Sequence, residues 1–121
     1  MRKALFAVLP LLALAACELS EPVVCPAIVP AAFHVSAQDS ISGANVLPGA
    51  SVIARDGAYS DSVVAPPIVT VMGVGGNRPG TYTVTVRQTG YQLWSKSGLK
   101  VRDGACGAQT VDVVARLKPV A

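Results

Sequence analysis

Three cysteines and a single histidine are the residues of this chain with the widest chemical repertoire. Thiolates and imidazoles bind zinc, but a structural zinc site needs four such ligands, usually in closely spaced pairs. Cys25 and Cys106 are far apart in the sequence, and neither has a neighbouring histidine or cysteine that would complete such a set. The sequence therefore predicts no metal site and no bound cofactor.

Serine hydrolase chemistry is also disfavoured. The stretch Gly49-Ala50-Ser51-Val52-Ile53 lacks the last glycine of a nucleophile elbow and begins a predicted strand, not a strand-to-helix turn. His34 is expected on the surface of a strand. Three acidic residues near predicted turns do not follow a calcium-loop spacing and are expected to be solvated: Asp39, Asp56 and Asp61. We predict no catalytic residues and no enzymatic activity.

The N-terminus has the composition of an export signal. A basic start, Met1-Arg2-Lys3, precedes an apolar run over residues 4–16 that is too short for a permanent transmembrane helix. The run ends in Leu14-Ala15-Ala16-Cys17, which resembles the lipobox of bacterial lipoproteins. That resemblance implies a signal peptide over 1–16 and a mature protein that begins at Cys17, with diacylglycerol on its sulfur. The alternative is ordinary cleavage after Ala15 at an A-x-A site.

Residues 17–27 are predicted to form an acylated tether that is short, polar or proline-containing, and without periodicity. The predicted partner at this end is the membrane, through the lipid on Cys17, on the periplasmic side of the cell envelope. In enterobacterial lipoproteins an aspartate directly after the acylated cysteine tends to retain the protein at the inner membrane. Glu18 occupies that position here, so the resemblance favours the outer membrane.

Cysteine parity favours one disulfide. An odd number of cysteines in an exported protein requires an explanation for the third thiol, and acylation of Cys17 supplies one. Cys25 and Cys106 then remain. In an oxidising compartment we expect them to pair with each other, near the start of the first strand and the start of the last.

The charge pattern argues against nucleic acid as a partner. The formal net charge is +3, but two of the ten basic residues, Arg2 and Lys3, belong to the leader. Removing them leaves eight basic against seven acidic residues, or about +1. The remaining basic residues are scattered along the chain, whereas nucleic-acid binding requires a clustered positive surface.

The clearest folding signal is the alternation in Gly80–Arg87. Tyr82, Val84 and Val86 fall on one face, and β-branched or aromatic residues at a period of two are typical of a half-buried strand. The opposite, polar face is predicted to carry Thr81, Thr83, Thr85 and Arg87. We therefore predict that this segment is the central strand of an all-β domain.

The rest of residues 28–119 divides into short apolar segments separated by turn residues. Asp56-Gly57 and Asp103-Gly104 predict hairpin turns, and 73–80 predicts a long turn. Pro26 and Pro30 favour an edge position for the first strand. Further strands are predicted within 27–38, 50–55, 59–64, 68–72, 91–101 with an interruption near Ser97-Gly98, and 109–118. About seven strands indicate a β-sandwich.

Several short motifs together resemble the carboxypeptidase regulatory-like domain. They are Asp39-x-x-Ser42-Gly43, Gly49-Ala50-x-Val52, Gly80-x-Tyr82-x-Val84-x-Val86, Gly90-Tyr91, and the closing Val111-x-Val113-x-Ala115-x-Leu117. The resemblance covers most of residues 28–118, although the proline that the family often has close to the position of Gly43 comes later here, at Pro48. It implies a seven-stranded, Greek-key β-sandwich of the transthyretin-like or immunoglobulin-like kind, used as an accessory domain of exported proteins and without catalytic residues.

A possible binding surface lies at Gln92 and Trp94. If Tyr91 and Leu93 point inward, Gln92 and Trp94 point outward, where an exposed tryptophan can stack on a sugar ring or anchor a partner. The alternative is that this sole tryptophan covers the edge of the sheets or lies in the core.

The combined patterns predict a lipid-anchored, extracytoplasmic β-sandwich. Its predicted role is that of a non-catalytic structural or interaction module of the bacterial envelope, whose partner is an envelope protein or a glycan. The alternative function is that of a small carbohydrate- or peptide-binding module.

Overall fold

The computed structural model describes residues 24–121, and the regular structure in this part of the chain is entirely β. The predicted signal peptide, Cys17 and most of the predicted tether lie outside the described residues. Over 24–121, no helix has the length and apolarity needed to cross a membrane. The described residues contain nine strands: β1 Phe33–Asp39, β2 Ser51–Asp56, β3 Tyr59–Val64, β4 Met72–Val74, β5 Gly80–Arg87, β6 Trp94–Val101, β7 Asp103–Gly104, β8 Gly107–Ala108 and β9 Val111–Leu117.

The strands form two main sheets and one small hairpin. One sheet has the order β4-β1-β9, the other has the order β3-β2-β5-β6, and β7 pairs with β8. The count therefore exceeds the predicted seven by two, and the two shortest strands, β7 and β8, have only two residues each.

The first strand is central in its sheet, so the prediction of an edge position is wrong. β1 pairs with β4 on one side and, in parallel, with β9 on the other. Pro26 and Pro30 precede the strand, which begins at Phe33, and so they remove no donor from its ladder of hydrogen bonds. The parallel pairing runs from Phe33 opposite Val111 to Asp39 opposite Leu117, and it joins the beginning of the domain to its end.

A single apolar core lies between the inner faces of the two main sheets. Tyr82, Val84 and Val86 are buried, which confirms the faces predicted for β5. The rings of Phe33 on β1 and Tyr82 on β5 meet edge to face, with centroids 5.1 Å apart, and so join the two sheets. The fully buried part of this core also includes Val35, Leu47, Val52, Val74, Val101 and Leu117.

Both predicted hairpins exist, but each turn lies further along the chain than predicted. Asp56 still pairs with Tyr59, so the turn is Gly57-Ala58, and Gly57 supplies the positive φ of 60° that the first turn position needs. Gly104 likewise belongs to β7, and its turn is formed by residues 105 and 106. In both cases the aspartate belongs to the last paired region before the turn and not to the turn itself.

The segment after Pro66-Pro67 also differs from its prediction. The strand lies at Met72–Val74, so it shares only Met72 with the strand predicted over 68–72 and otherwise occupies the start of the predicted long turn, and Ile68 is 91% exposed. Val74 pairs with Phe33 and enters the core. The apolar character of residues 68–71 suggested a strand there, but β4 is defined by its short pairing with β1.

Two aspartates predicted to be solvated fix the chain around β4 and β5. The amide of Gly75 donates a hydrogen bond to Asp61 at 2.8 Å, and Arg78 pairs with Asp56 at 3.1 Å. The Arg78 guanidinium also lies 4.4 Å from the centre of the Tyr59 ring. These contacts attach the segment between β4 and β5 to the β2–β3 hairpin, so the solvated-turn prediction is wrong for Asp56 and Asp61.

Candidate functional site

The disulfide between Cys25 and Cys106 is present, as the sequence predicted, with Cα atoms 5.3 Å apart. The parallel pairing of β1 with β9 brings the two cysteines together, because each precedes its strand by a few residues. The same junction is held by a hydrogen bond from the Thr110 hydroxyl to the Ala31 carbonyl at 2.7 Å. The disulfide thus attaches the N-terminal segment to the start of the last strand.

An apolar groove of about 620 Å³ lies beside the disulfide. Its walls come from Pro26, residues 28–31 and residues 104–110, together with His34. Ile28 and Val29 are 79% and 72% exposed at its rim. The volume of the groove is in the range of ligand pockets. The apolar walls of the groove suit a ligand with an apolar surface.

The groove contains no hydrolytic arrangement. Nδ1 of His34 lies 3.8 Å from Oδ1 of Asp112, and both side chains are largely exposed. Within residues 24–121, no hydrogen bond joins His34 to a serine, threonine or cysteine side chain. Ser51 begins β2 and pairs with Val64 and Arg87, so it occupies a strand and not a nucleophile elbow. In the same range, no three histidine, cysteine, aspartate or glutamate side chains come together as a metal site.

A second depression, of about 350 Å³, surrounds the tryptophan. We call it the Trp94 hollow, and it is lined by Gln92, Leu93, Trp94, Ser95, Arg116 and Lys118. Both residues of the predicted binding surface, Gln92 and Trp94, therefore lie at one site, together with two cations from the last strand and its end.

The orientation of Trp94 differs from the proposed alternation. Trp94 is opposite Val86, a buried residue of β5, so it lies on the inner side of the edge strand β6, half-buried against the core. Leu93, expected to point inward, is 57% exposed. The strand begins only at Trp94, so the alternation cannot be extended back to Tyr91. The interruption predicted at Ser97-Gly98 is confirmed: the β5–β6 register shifts there.

Arg116 and Lys118 lie on the exposed side of β9 and of the residue that follows it. Val113, Ala115 and Leu117 are buried, so the residues between and after them lie on the outer side. The Arg116 guanidinium donates to the neutral amide oxygen of Gln38 at 3.0 Å. Sequence reasoning missed both cations as site residues, although the alternation in β9 already assigned them to one exposed face.

The segment that contains Tyr91 and the lining residues Gln92 and Leu93 is attached to the end of the chain. The amide of Gln92 donates to the Lys118 carbonyl at 2.8 Å, and Tyr91 pairs with Pro119 in an isolated bridge. These backbone contacts fix the position of Gln92 and Leu93, on one side of the Trp94 hollow, relative to Lys118 on the other side.

Asp39 supports the same segment from the end of β1. Its carboxylate accepts hydrogen bonds from the amides of Ile41 and Ser42 and, at 2.7 Å, from the Tyr91 hydroxyl. The Ser42 amide, followed by the Tyr91 hydroxyl, lowers the pKa of Asp39, and the carboxylate raises the pKa of Tyr91. Asp39 is therefore the acceptor that positions Tyr91, a role that the sequence analysis did not assign to it.

No protein-family model matches the chain, and no curated protein matches it. The candidate functions consequently depend on the fold, the disulfide and the two depressions described above.

Proposed function

We propose that this protein is a lipid-anchored, extracytoplasmic β-sandwich that acts as a non-catalytic structural or interaction module of the bacterial envelope. The observation that carries the proposal is the Cys25–Cys106 disulfide. It accounts for two of the three cysteines and leaves Cys17, the cysteine of the lipobox-like motif, for acylation. Disulfides persist in oxidising compartments, which supports an exported protein.

The sandwich and its resemblance to carboxypeptidase regulatory-like domains are part of the same proposal. Two sheets that share one apolar core support it, as do seven strands of three or more residues. The motifs that carry the resemblance occur within these strands and the turns between them. An accessory domain of this kind needs a rigid surface and no reactive groups of its own.

In this proposal the end of the domain at the disulfide is anchored and the opposite end is free. Because β1 and β9 are parallel, both begin at the disulfide, close to the proposed tether. The Trp94 hollow lies toward the other end of β9, roughly 20 Å away at the usual rise of a strand. The segment from Cys17 to Val24 can extend at most about 25 Å. A lipid on Cys17 would therefore hold the disulfide end near the bilayer and leave the hollow available to a partner in the envelope.

The proposed location is the periplasmic side of the envelope. Glu18, and not aspartate, follows the proposed acylated cysteine, which favours the outer membrane by analogy with enterobacterial lipoproteins. One acyl chain binds a membrane only marginally, whereas a diacylglycerol group that is joined by an N-acyl chain anchors firmly.

The anchor is tested by Cys17→Ser in the full chain. We expect the wild-type protein in the membrane fraction to begin at Cys17 and to carry added lipid mass. The variant should retain its leader, because the lipoprotein signal peptidase requires the acylated cysteine. Cys25→Ser with Cys106→Ser is the matched control, since it removes two thiols but should leave lipidation intact. A lipid-free wild-type protein that begins at Ala16 would contradict the proposal.

A second candidate function is the binding of a small carbohydrate or peptide in the Trp94 hollow. The specific observation that favours it is the convergence of Gln92, Trp94 and two cations on one depression. Trp94 is the only tryptophan in the chain, so its fluorescence reports directly on this site. Saturable changes in that fluorescence on adding oligosaccharides or peptides would support the function, and unchanged emission throughout would argue against it.

A further inference from the structure

The lining of the Trp94 hollow combines two positive charges with no acidic side chain. Arg116 and Lys118 are two residues apart on the same side of the chain, so their α-carbons are separated by about 6.6 Å. Within residues 24–121, the close contacts between basic and acidic side chains are formed by other residues, His34–Asp112 and Arg78–Asp56. Two neighbouring cations without a carboxylate partner favour an anionic ligand, because a carboxylate between them would relieve their repulsion.

The other side chains of the hollow suit a hydroxyl-rich ligand. Gln92 offers both a hydrogen-bond donor and an acceptor, whereas the Ser95 hydroxyl lies 3.4 Å from the Thr85 hydroxyl of the neighbouring strand. Trp94 is half-buried against the core, so its ring is held in place and contributes a rigid apolar surface. The volume of about 350 Å³ is near the lower limit for ligand pockets, which suits a short ligand segment.

We propose that the Trp94 hollow binds an acidic saccharide, with the carboxylate held by Arg116 and Lys118 and a sugar face held against Trp94. This inference rests on the binding function proposed above for the hollow, and it names the ligand class. An acidic peptide would also satisfy the cations, but it would not present the flat apolar face of a sugar ring to Trp94. A saccharide uses the cations, the Gln92 amide and the ring together.

The test uses the mature protein, purified in detergent from whole-cell lysate so that lipidated and lipid-free forms are both recovered, with tryptophan fluorescence as the readout. The probes are a uronic acid trisaccharide, the neutral methyl ester of the same trisaccharide, and a triglutamate peptide. At low ionic strength we expect saturable binding of the acidic trisaccharide, at least about tenfold tighter than that of the methyl ester, which is the scale of one charge-assisted contact. Added salt should weaken the binding of the acidic probe only.

The cations are tested by Arg116→Gln with Lys118→Gln. This variant should lose the preference for the acidic trisaccharide, whereas any weak binding of the methyl ester should remain. The matched control is Arg87→Gln with Lys100→Gln, which removes the same charge from exposed positions on β5 and β6 that do not line the hollow. The control should bind the acidic probe as the wild-type protein does.

Several outcomes would overturn the assignment. Equal affinity for the acid and its methyl ester would remove the role of the cations, and so would an unchanged preference in the Arg116 and Lys118 variant. Binding of the triglutamate peptide as tightly as the trisaccharide would replace a saccharide with a peptide, and absence of binding by all probes would leave no ligand site. None of these results depends on the lipid at Cys17, so failure of the anchor and failure of the ligand class can be told apart.

Discussion

Removal of the Cys25–Cys106 disulfide should destabilise the domain strongly. The bond joins residues 81 positions apart. In the chain-entropy model, a crosslink over a loop of this length stabilises the folded state by about 4.5 kcal/mol, because it restricts the unfolded chain. A small domain is typically stable by roughly 5–15 kcal/mol, so this one bond supplies a large share of the total.

The expected change can be measured in urea. We compare the oxidised protein, the protein reduced with a thiol, and the Cys25→Ser, Cys106→Ser double variant, and we follow the fluorescence of Trp94. Both disulfide-free forms should lose about 3–4.5 kcal/mol in free energy of unfolding, with a fall in Tm of roughly 15–30 °C. The m value should rise, because an unfolded chain without the crosslink exposes more surface.

The controls distinguish the loss of stability caused by removing the crosslink from local effects of the two serine substitutions. Reducing agent should not change the double variant further, and its folded spectrum in the absence of urea should match that of the wild type. A loss smaller than about 1 kcal/mol in both disulfide-free forms would refute the entropic reasoning. Free thiols at both positions in a non-reducing peptide map would refute the bond itself.

Two further predictions concern the core and the support of the hollow. Val84→Asp should cost at least about 3 kcal/mol, because it introduces a carboxylate at a fully buried position, whereas Thr83→Asp on the outer face should be far milder; equal losses of stability in urea would contradict the assigned faces. Tyr91→Phe should raise the lowered pKa of Asp39 toward its ordinary value of 3.8 but not fully, because the amide donors remain. Asp39 stabilises the fold above its unfolded pKa, and this stabilisation is lost as the pH falls through the folded value, so the variant should lose it at a higher pH than the wild type. A carboxyl titration by NMR measures both values, and an unchanged pKa for Asp39 would contradict the role of Tyr91.

Strand positions and faces were the properties most accessible from the sequence. The alternation of Tyr82, Val84 and Val86 is local, and it depends on burial at every second residue, so the pattern alone assigned the inner face correctly. The same reasoning succeeded in β9, where Val113 and Leu117 are buried. It failed where the neighbouring strand decides the structure, as it does at Met72–Val74.

Pairing partners and site membership could not be read in the same way. No local pattern indicates that β1 lies between β4 and β9, or that its pairing with β9 is parallel. Arg116 and Lys118 meet Trp94 only because the end of β9 passes the start of β6. The two turns were displaced because an aspartate–glycine pair indicates a nearby reversal, whereas the register of the hairpin decides which residues occupy it.

The disulfide at the start of β1 and β9 also determines how the domain would respond to mechanical tension. Parallel strands that are pulled at opposite ends are loaded in shear, with force spread along their whole ladder. With Cys25 joined to Cys106, however, a pull between the tether and the C-terminal end passes from one cysteine directly to the other.

Residues 26–105 then carry none of the force that is transmitted along the covalent chain. Only the short stretch after Cys106, which contains β8 and β9, bears the load. If the tether is fixed in a membrane and a partner holds the C-terminal end, the extensible part is residues 107–121, or roughly 50 Å when fully extended. The tension would therefore act first on the pairing of β9 with β1.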